Sequence, residues 1–176
     1  LILNCGRFLS QFFMQKISSF LPIINKDSEI LILGSIPGAK SLEMQQYYAH
    51  PQNKFWRIIF ELFNEIFTTD YTEKIQILEK HHIALWDVID TCERKGSLDS
   101  EIRNEEANKI GELILNYPNI KVIFCNGQKS YKNLLRILSN DFHLPIIALP
   151  STSPAHASLK YEEKLVSWLE IKNYLS

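Results

Sequence analysis

Several familiar signals are missing from these 176 residues, and each absence removes a class of function. The chain has no glycine-lysine-threonine end of a phosphate loop, no three-glycine dinucleotide fingerprint and no GxSxG elbow, so the motifs of nucleotide motors, dinucleotide enzymes and elbow-type serine hydrolases do not apply. Only three cysteines occur, Cys5, Cys92 and Cys125. They are far apart, odd in number and without a CxxC pair, which argues against a disulfide framework and a zinc knuckle and fits a reducing cytoplasm. No apolar run reaches the length of about 18 residues that a bilayer span needs. Net positive charge is missing too: 19 basic residues against 20 acidic give a formal -1. A polyanion would have to be met by a local patch, which suffices for an enzyme that grips one nucleotide. Repeats, low-complexity tracts and interdomain linkers are also lacking.

What remains is a globular composition, 45% hydrophobic and 22% charged, of a size that suits one domain. The opening LILNCGRFLSQFF has neither an initiator methionine nor the basic start of a secretory signal. Met14 reads as the natural start, with residues 1–13 an upstream remnant and 14–176 a single domain.

Four short apolar runs end in glycine or polar residues: EILILGS from Glu29, IALWDVID, KVIFCNG and PIIALPS. EILILGS has the pattern of a strand buried on both faces of a parallel sheet, KVIFCNG and PIIALPS read as further strands, and IALWDVID as a strand or strand-like edge. Cys125, inside one of them, reads as a small buried hydrophobe. Between them lie amphipathic segments. FWRIIFELFNEIF repeats Phe55, Ile58, Ile59, Leu62, Phe63 and Ile66 at helical spacing. YTEKIQILEKHH, EEANKIGELILNYP, QKSYKNLLRIL and EEKLVSWLEIKNYL are further helices, the second stopped by Pro118 and the last offering Leu165, Trp168, Leu169 and Leu175 to the core. Strand and helix alternate, which predicts an α/β sandwich with a mainly parallel central sheet, right-handed crossovers and helices on both faces.

Ligands in such folds gather at the carboxyl ends of the strands. Three loops stand there: GSIPGAKSLEMQQYYAHPQNKFW, the stretch from Asp87 to Ser100 with CERKGSLDSEI as a loop, and PSTSPAHA. The turn Gly34-Ser35-Ile36-Pro37-Gly38 brings backbone amides close to a ligand. The run that follows combines rings for stacking, Tyr47 and Tyr48, with His50 and the amide of Asn53. Tyr47 and His50 are either lid or brace. In PSTSPAHA nothing marks a serine as nucleophile, and Thr152 or Ser158 could cap a helix. Asp87 either caps the next turn or supports the site.

These residues carry a resemblance. GSIPG, the segment SLEMQQYYAHPQNKFW and LPSTSPAHA together resemble the uracil-DNA glycosylase superfamily, most of all its hypoxanthine-DNA (deoxyinosine) branch, family 6. Tyr48 to Trp56 is similar to the FAHPxNRFW-type segment of the mismatch-specific enzymes, and the likeness runs from about Glu29 to Trp168. It implies a three-layer α/β/α sandwich on a short four-stranded sheet. It also implies a monofunctional enzyme, without metal or cofactor, that flips a deaminated base out of DNA and hydrolyses its N-glycosidic bond. The partner implied is damaged DNA; the protein would work as a monomer in the cytoplasm, beside the nucleoid in a prokaryote.

By the same resemblance Tyr48 stacks on the flipped base, and Gly34, Ile36, Pro37 and Gly38 line it. Ser35, with the turn's backbone amides, lies beside the bond being broken. Asn53 positions the water or reads the base. Ser151, Thr152, Ser153, Pro154, Ala155 and His156 approach the DNA, and His156 either contacts phosphate or assists the departing base. Ile36 stands where uracil-specific branches place aspartate or asparagine, and Leu149 where several place histidine. That pattern suits reliance on Asn53 and on hypoxanthine, a better leaving group. A uracil or mismatched-thymine glycosylase and a catalytically silent nucleotide- or DNA-binding module are the alternatives.

Overall fold

The structure, a computed structural model, describes residues 15–95, 99–139 and 142–175. Residues 1–13, residues 96–98 of the middle loop and Cys5 lie outside them. In chain order the strands are β1 (Gln15–Ser18), β2 (Ile30–Gly34), β3 (Ile83–Asp87), β4 (Ile89–Arg94), β5 (Ile102–Ala107), β6 (Val122–Asn126) and β7 (Ile146–Leu149). The helices are α1 (Ala39–Met44), α2 (Phe55–Leu62), α3 (Tyr71–Lys80), α4 (Ile110–Asn116), α5 (Gln128–Ile137) and α6 (Tyr161–Trp168).

The four apolar runs make one sheet in the order β3-β2-β6-β7, with every pair parallel. Successive side chains of a strand point to opposite faces, and both faces are covered. Ile30, Ile32, Val122 and Phe124 pack with Phe55, Ile58, Ile59 and Leu62 of α2, Leu78 of α3 and Trp168 of α6. Leu31, Leu33, Ile123 and Cys125 pack with Ile110 and Leu113 of α4 and Leu134 of α5. The result is the expected three-layer α/β/α sandwich, held by large side chains whose full burial is worth roughly 1.5–3 kcal/mol each.

Local chemistry sets the helix ends. Asp70 starts α3 by accepting from the Thr72 and Glu73 amides at 2.8 and 3.1 Å, a cap worth about 1 kcal/mol. The helix α4 stops at Asn116, two residues short of Pro118. The helix expected through Phe67 ends at Leu62, because Asn64 takes a left-handed φ of 55°, a conformation asparagine tolerates better than most residues. Ile66, counted to the buried stripe, is 93% exposed. The closing segment is α6 followed by a 3-10 turn over Leu169–Tyr174; the change of winding turns Leu169 outward, while Trp168 stays fully buried.

The larger departure is a second sheet, antiparallel, in the order β1-β4-β5. The run expected as one strand divides after Asp87: β3 joins the parallel sheet and β4 continues into the small one. Cys92, Glu93 and Arg94, expected in a loop, are strand residues. Glu105 to Ala107, expected to begin a helix, lie in β5, where Glu106 and Ala107 pair with Thr91 and Ile89 of β4. Ile17, Ile36, Ile89, Cys92 and Ile102 form the core of this sheet, directly under the turn that follows β2.

Candidate active site

The carboxyl end of β2 is Gly34, paired in register with Asp87 of β3. A Cβ on Gly34 would lie 2.3 Å from Asp87 Oδ1 and 2.9 Å from the Tyr48 hydroxyl oxygen. Glycine is therefore required there: a carboxylate and a phenol close over the end of the strand where a side chain would stand. Asp87 is 3% exposed. Ser19 Oγ donates to its Oδ2 at 3.3 Å, and Asn108 Nδ2 donates to its backbone carbonyl at 2.9 Å. Of its two expected roles, the structure gives it a place beside Gly34 and Tyr48.

Tyr48 has φ 54°, left-handed backbone that costs a tyrosine roughly 1–3 kcal/mol and must be offset by its surroundings. Its partly buried ring stacks on Phe55, centroids 4.1 Å apart and planes inclined by 27°. The neighbouring Tyr47 is a brace. It is buried, its hydroxyl donates to Leu21 O at 3.2 Å, its amide donates to the Tyr71 hydroxyl at 3.0 Å, and its carbonyl accepts from Trp56 Nε1 at 2.9 Å. Burial, with the nearby Asp87 charge adding to it, raises the Tyr47 phenol well above its ordinary value.

Asn53 stands between the Tyr48 platform and the last loop. Its amide donates to His50 O at 2.8 Å, and its Oδ1 accepts from the Phe55 amide at 3.0 Å, at the start of α2. With the carbonyl oxygen so engaged, Nδ2 is the end left for a ligand, and it can only donate. The exposed His50 is likewise a brace: its Nδ1 accepts from the Gln52 amide at 3.2 Å, shaping the turn that presents Asn53.

The second wall is the loop after β7. Thr152 is fully buried and exchanges two hydrogen bonds with Asn126 at the end of β6: its amide donates to Oδ1 and its Oγ1 accepts from Nδ2, both at 2.9 Å. Its carbonyl accepts from the Lys54 amide at 3.0 Å, which ties the two walls together. Ser151 Oγ accepts from the Ser153 amide, and Ser153 Oγ from the Ala155 amide, both at 3.2 Å. Two residues one turn apart on α6 hold the loop from behind: Trp168 Nε1 donates to Pro150 O at 3.0 Å and Lys164 Nζ to His156 O at 2.7 Å. Burial, then the charge of nearby Lys54, lowers the Lys164 ammonium below its usual value. Lys54 therefore stands near enough to Lys164 for the two charges to oppose each other. Pro154, Ala155 and His156 are exposed at the tip.

The sequence-level candidates fall in two groups. Gly34 and Tyr48 are brought together, and Asn53 is bonded to the backbone of Phe55, the residue whose ring carries Tyr48. The Ile36 side chain points into the core of the small sheet, so only its backbone can meet a ligand. The Thr152 side chain, expected at the DNA, is spent on Asn126. Asn126, Lys164, Trp168 and Arg94 were missed, because hydrogen bonds between residues far apart in sequence leave no local pattern. Among the described residues, no group of three or more His, Cys, Asp or Glu is placed to hold a metal ion, and no helix is long and apolar enough to cross a membrane.

The fold is an α/β/α sandwich in which the loops after β2 and β7 meet beyond the carboxyl ends of the parallel strands. The chain belongs to the uracil DNA glycosylase superfamily, whose family model matches residues 21–172. It is a DNA glycosylase, and its substrate is DNA. The chain is 36% identical over 158 residues to a hypoxanthine DNA glycosylase of Methanosarcina barkeri, covering 88% of this chain and 97% of that protein. It is 37% identical over 140 residues to one of Methanosarcina acetivorans, covering 78% and 86%. A solution NMR structure from Methanosarcina acetivorans, described as a candidate uracil DNA glycosylase, superposes with a TM-score of 0.75 at 32% identity, covering 90% of this chain and 99% of that one.

Proposed function

We propose that the lesion this glycosylase removes is hypoxanthine. The observation that carries the reading is the orientation of two residues: the Ile36 side chain is buried in the small sheet, and Asn53 Oδ1 is held by the Phe55 amide. The turn then offers no side-chain acid to activate water, and Asn53 offers a donor. A site of that kind assists the base that leaves rather than the water that attacks. Hypoxanthine has acceptors at N3, O6 and N7, and a hydrogen bond to any of them withdraws electrons from the glycosidic bond. The two relatives named for hypoxanthine support the same substrate.

In the proposed reaction the base turns out of the stack and lies on Tyr48, whose other face rests on Phe55. Asn53 Nδ2 and the turn amides face its polar edge. As the C1′–N9 bond breaks, its electron pair stays with the base and the sugar takes on oxocarbenium character. Water adds to C1′ and loses a proton, leaving an abasic site and free hypoxanthine. Preorganised donors aimed at developing charge are the usual source of such acceleration. Pro154, Ala155 and His156 meet the DNA, with Ser151, Ser153 and the buried Thr152 giving the loop its shape, and Lys54 draws the phosphates. The protein works as a monomer in the cytoplasm, a setting that suits its buried free Cys92 and Cys125.

The test is incubation with duplexes containing hypoxanthine, uracil, xanthine or a G:T pair, followed by alkaline cleavage of abasic sites. Strand breaks at hypoxanthine are expected. Breaks at uracil alone would replace the substrate, and no break at any lesion would overturn the reading.

A further inference from the structure

Three carbonyls of the turn after β2 are tied to the same neighbouring segment. Gly34 O accepts from the Val88 amide at 2.9 Å and Ser35 O from the Ile89 amide at 3.0 Å. Pro37 O accepts from Arg94 Nη2 at 2.7 Å. The third donor differs in kind: it is a guanidinium, reaching from the far end of β4, on a residue only 1% exposed. An arginine on the inward register of a strand is costly to bury without bonds to polar partners, and one of those bonds is to this peptide.

That bond decides where an amide points. In a trans peptide the C=O and the following N–H lie on opposite sides, and the described residues contain no cis bond. With the carbonyls of residues 34, 35 and 37 drawn toward β3–β4, the N–H groups of Ser35, Ile36 and Gly38 are turned away from it. The Ile36 side chain agrees, since it enters the small-sheet core on the carbonyl side. Proline has no N–H, so Pro37 contributes a carbonyl alone, and Arg94 takes it.

We infer that Arg94 is a positioning residue for glycosidic cleavage: it fixes the Pro37–Gly38 peptide so that the Gly38 N–H is aimed at the base as it leaves. The inference rests on the glycosylase reading above. No proton is transferred by this amide; it donates a hydrogen bond to the base atom that gains charge. A lysine on a flexible stem cannot fix the direction of the bond as a planar guanidinium does. The antiparallel sheet thereby acquires a catalytic purpose, as the platform that carries Arg94 beneath the turn.

The experiment compares wild type, Arg94→Lys and Arg94→Met under single-turnover conditions on a hypoxanthine duplex. Binding to a duplex with a non-cleavable abasic analogue and thermal melting are measured beside the rate. Tenfold or greater slowing is expected for Arg94→Met, with partial rescue in Arg94→Lys and abasic-duplex affinity within about threefold of wild type. A rate within twofold of wild type for Arg94→Met, or rate and affinity falling together with melting temperature, would overturn the inference. Should the methionine variant not fold, Gly38→Pro decides. Gly38 has φ -75°, which suits proline, and a Cβ there meets nothing within 4 Å, so proline removes the N–H at a position whose φ and Cβ it can adopt. Arg94→Lys should then cost nothing further in that background; a full additional loss would show that Arg94 does not act through Gly38. If wild type releases hypoxanthine and the Arg94 variants keep pace, only this inference falls. If wild type releases nothing, the hypoxanthine reading falls.

Discussion

The two loops that carry the candidate residues, the two walls of the proposed site, are built from different interactions. The wall from Gly34 to Trp56 is fixed by packed rings: Tyr47 stands edge-on to Phe20 at 5.2 Å, Tyr48 stacks on Phe55, and Trp56 meets Tyr71 at 6.0 Å. The wall from Pro150 to His156 is held by hydrogen bonds from Asn126, Trp168 and Lys164 at its root, and its tip is exposed. Close packing tolerates little displacement, so the first wall suits chemistry, where an error of 1 Å is expensive. A loop rooted by polar contacts and open at the tip suits an extended, charged partner. Damage to the first wall should therefore appear in the rate of bond cleavage, and damage to the second in binding.

The largest effect is expected from Gly34→Ala. The added carbon would meet Asp87 Oδ1 at 2.3 Å, and a shift of the carboxylate or of Tyr48 should cost on the order of 10²-fold in single-turnover rate. DNA affinity should change much less; equal losses in both would erase the distinction between the walls. Next comes Thr152→Val, which keeps the shape but leaves Asn126 Nδ2 without its acceptor in a buried place. A destabilisation of about 1–3 kcal/mol is expected by denaturant unfolding, with weaker DNA binding and a nearly normal rate at saturation.

A smaller effect is expected at the tip. His156→Ala should weaken DNA binding several-fold, and loss of one phosphate contact should lower the slope of log affinity against log salt by about 1. An unchanged slope would remove His156 from the phosphates. The smallest concerns the core of the parallel sheet. Burial pushes the Cys125 thiol up to about 12, so at neutral pH it should not react with a thiol reagent until the protein unfolds. Because the folded value is raised, the stability linked to this thiol is full below the unfolded value and is lost as pH climbs toward the folded one. Unfolding free energy measured from pH 8 to 11 should fall, not rise.

How much of this could be read in advance depended on whether a feature was local. The parallel strands were legible because a strand covered on both faces must be apolar throughout, and Leu31 to Leu33 or Val122 to Cys125 show that directly. The small sheet was not. In β5 only Ile102 is buried, so its sequence carries no alternation, and β4 turns an arginine inward where an apolar residue would have signalled a strand. Gly34, Tyr48 and Asn53 were legible as candidates because the unusual loop contains all three. The partners that give them direction were not: Asn126 and Thr152 are 26 residues apart, and Arg94 and Pro37 are 57 apart.

The most direct measurement is the single-turnover rate of hypoxanthine release by Asn53→Ala, with enzyme in excess and binding to an abasic-analogue duplex determined separately. Loss of the side-chain donor proposed to face the departing base should slow release by roughly 10²–10³-fold, as removal of a preorganised donor does elsewhere, with affinity changed by less than about threefold. Full wild-type rate in Asn53→Ala would contradict it and would move the chemistry to another part of the cleft.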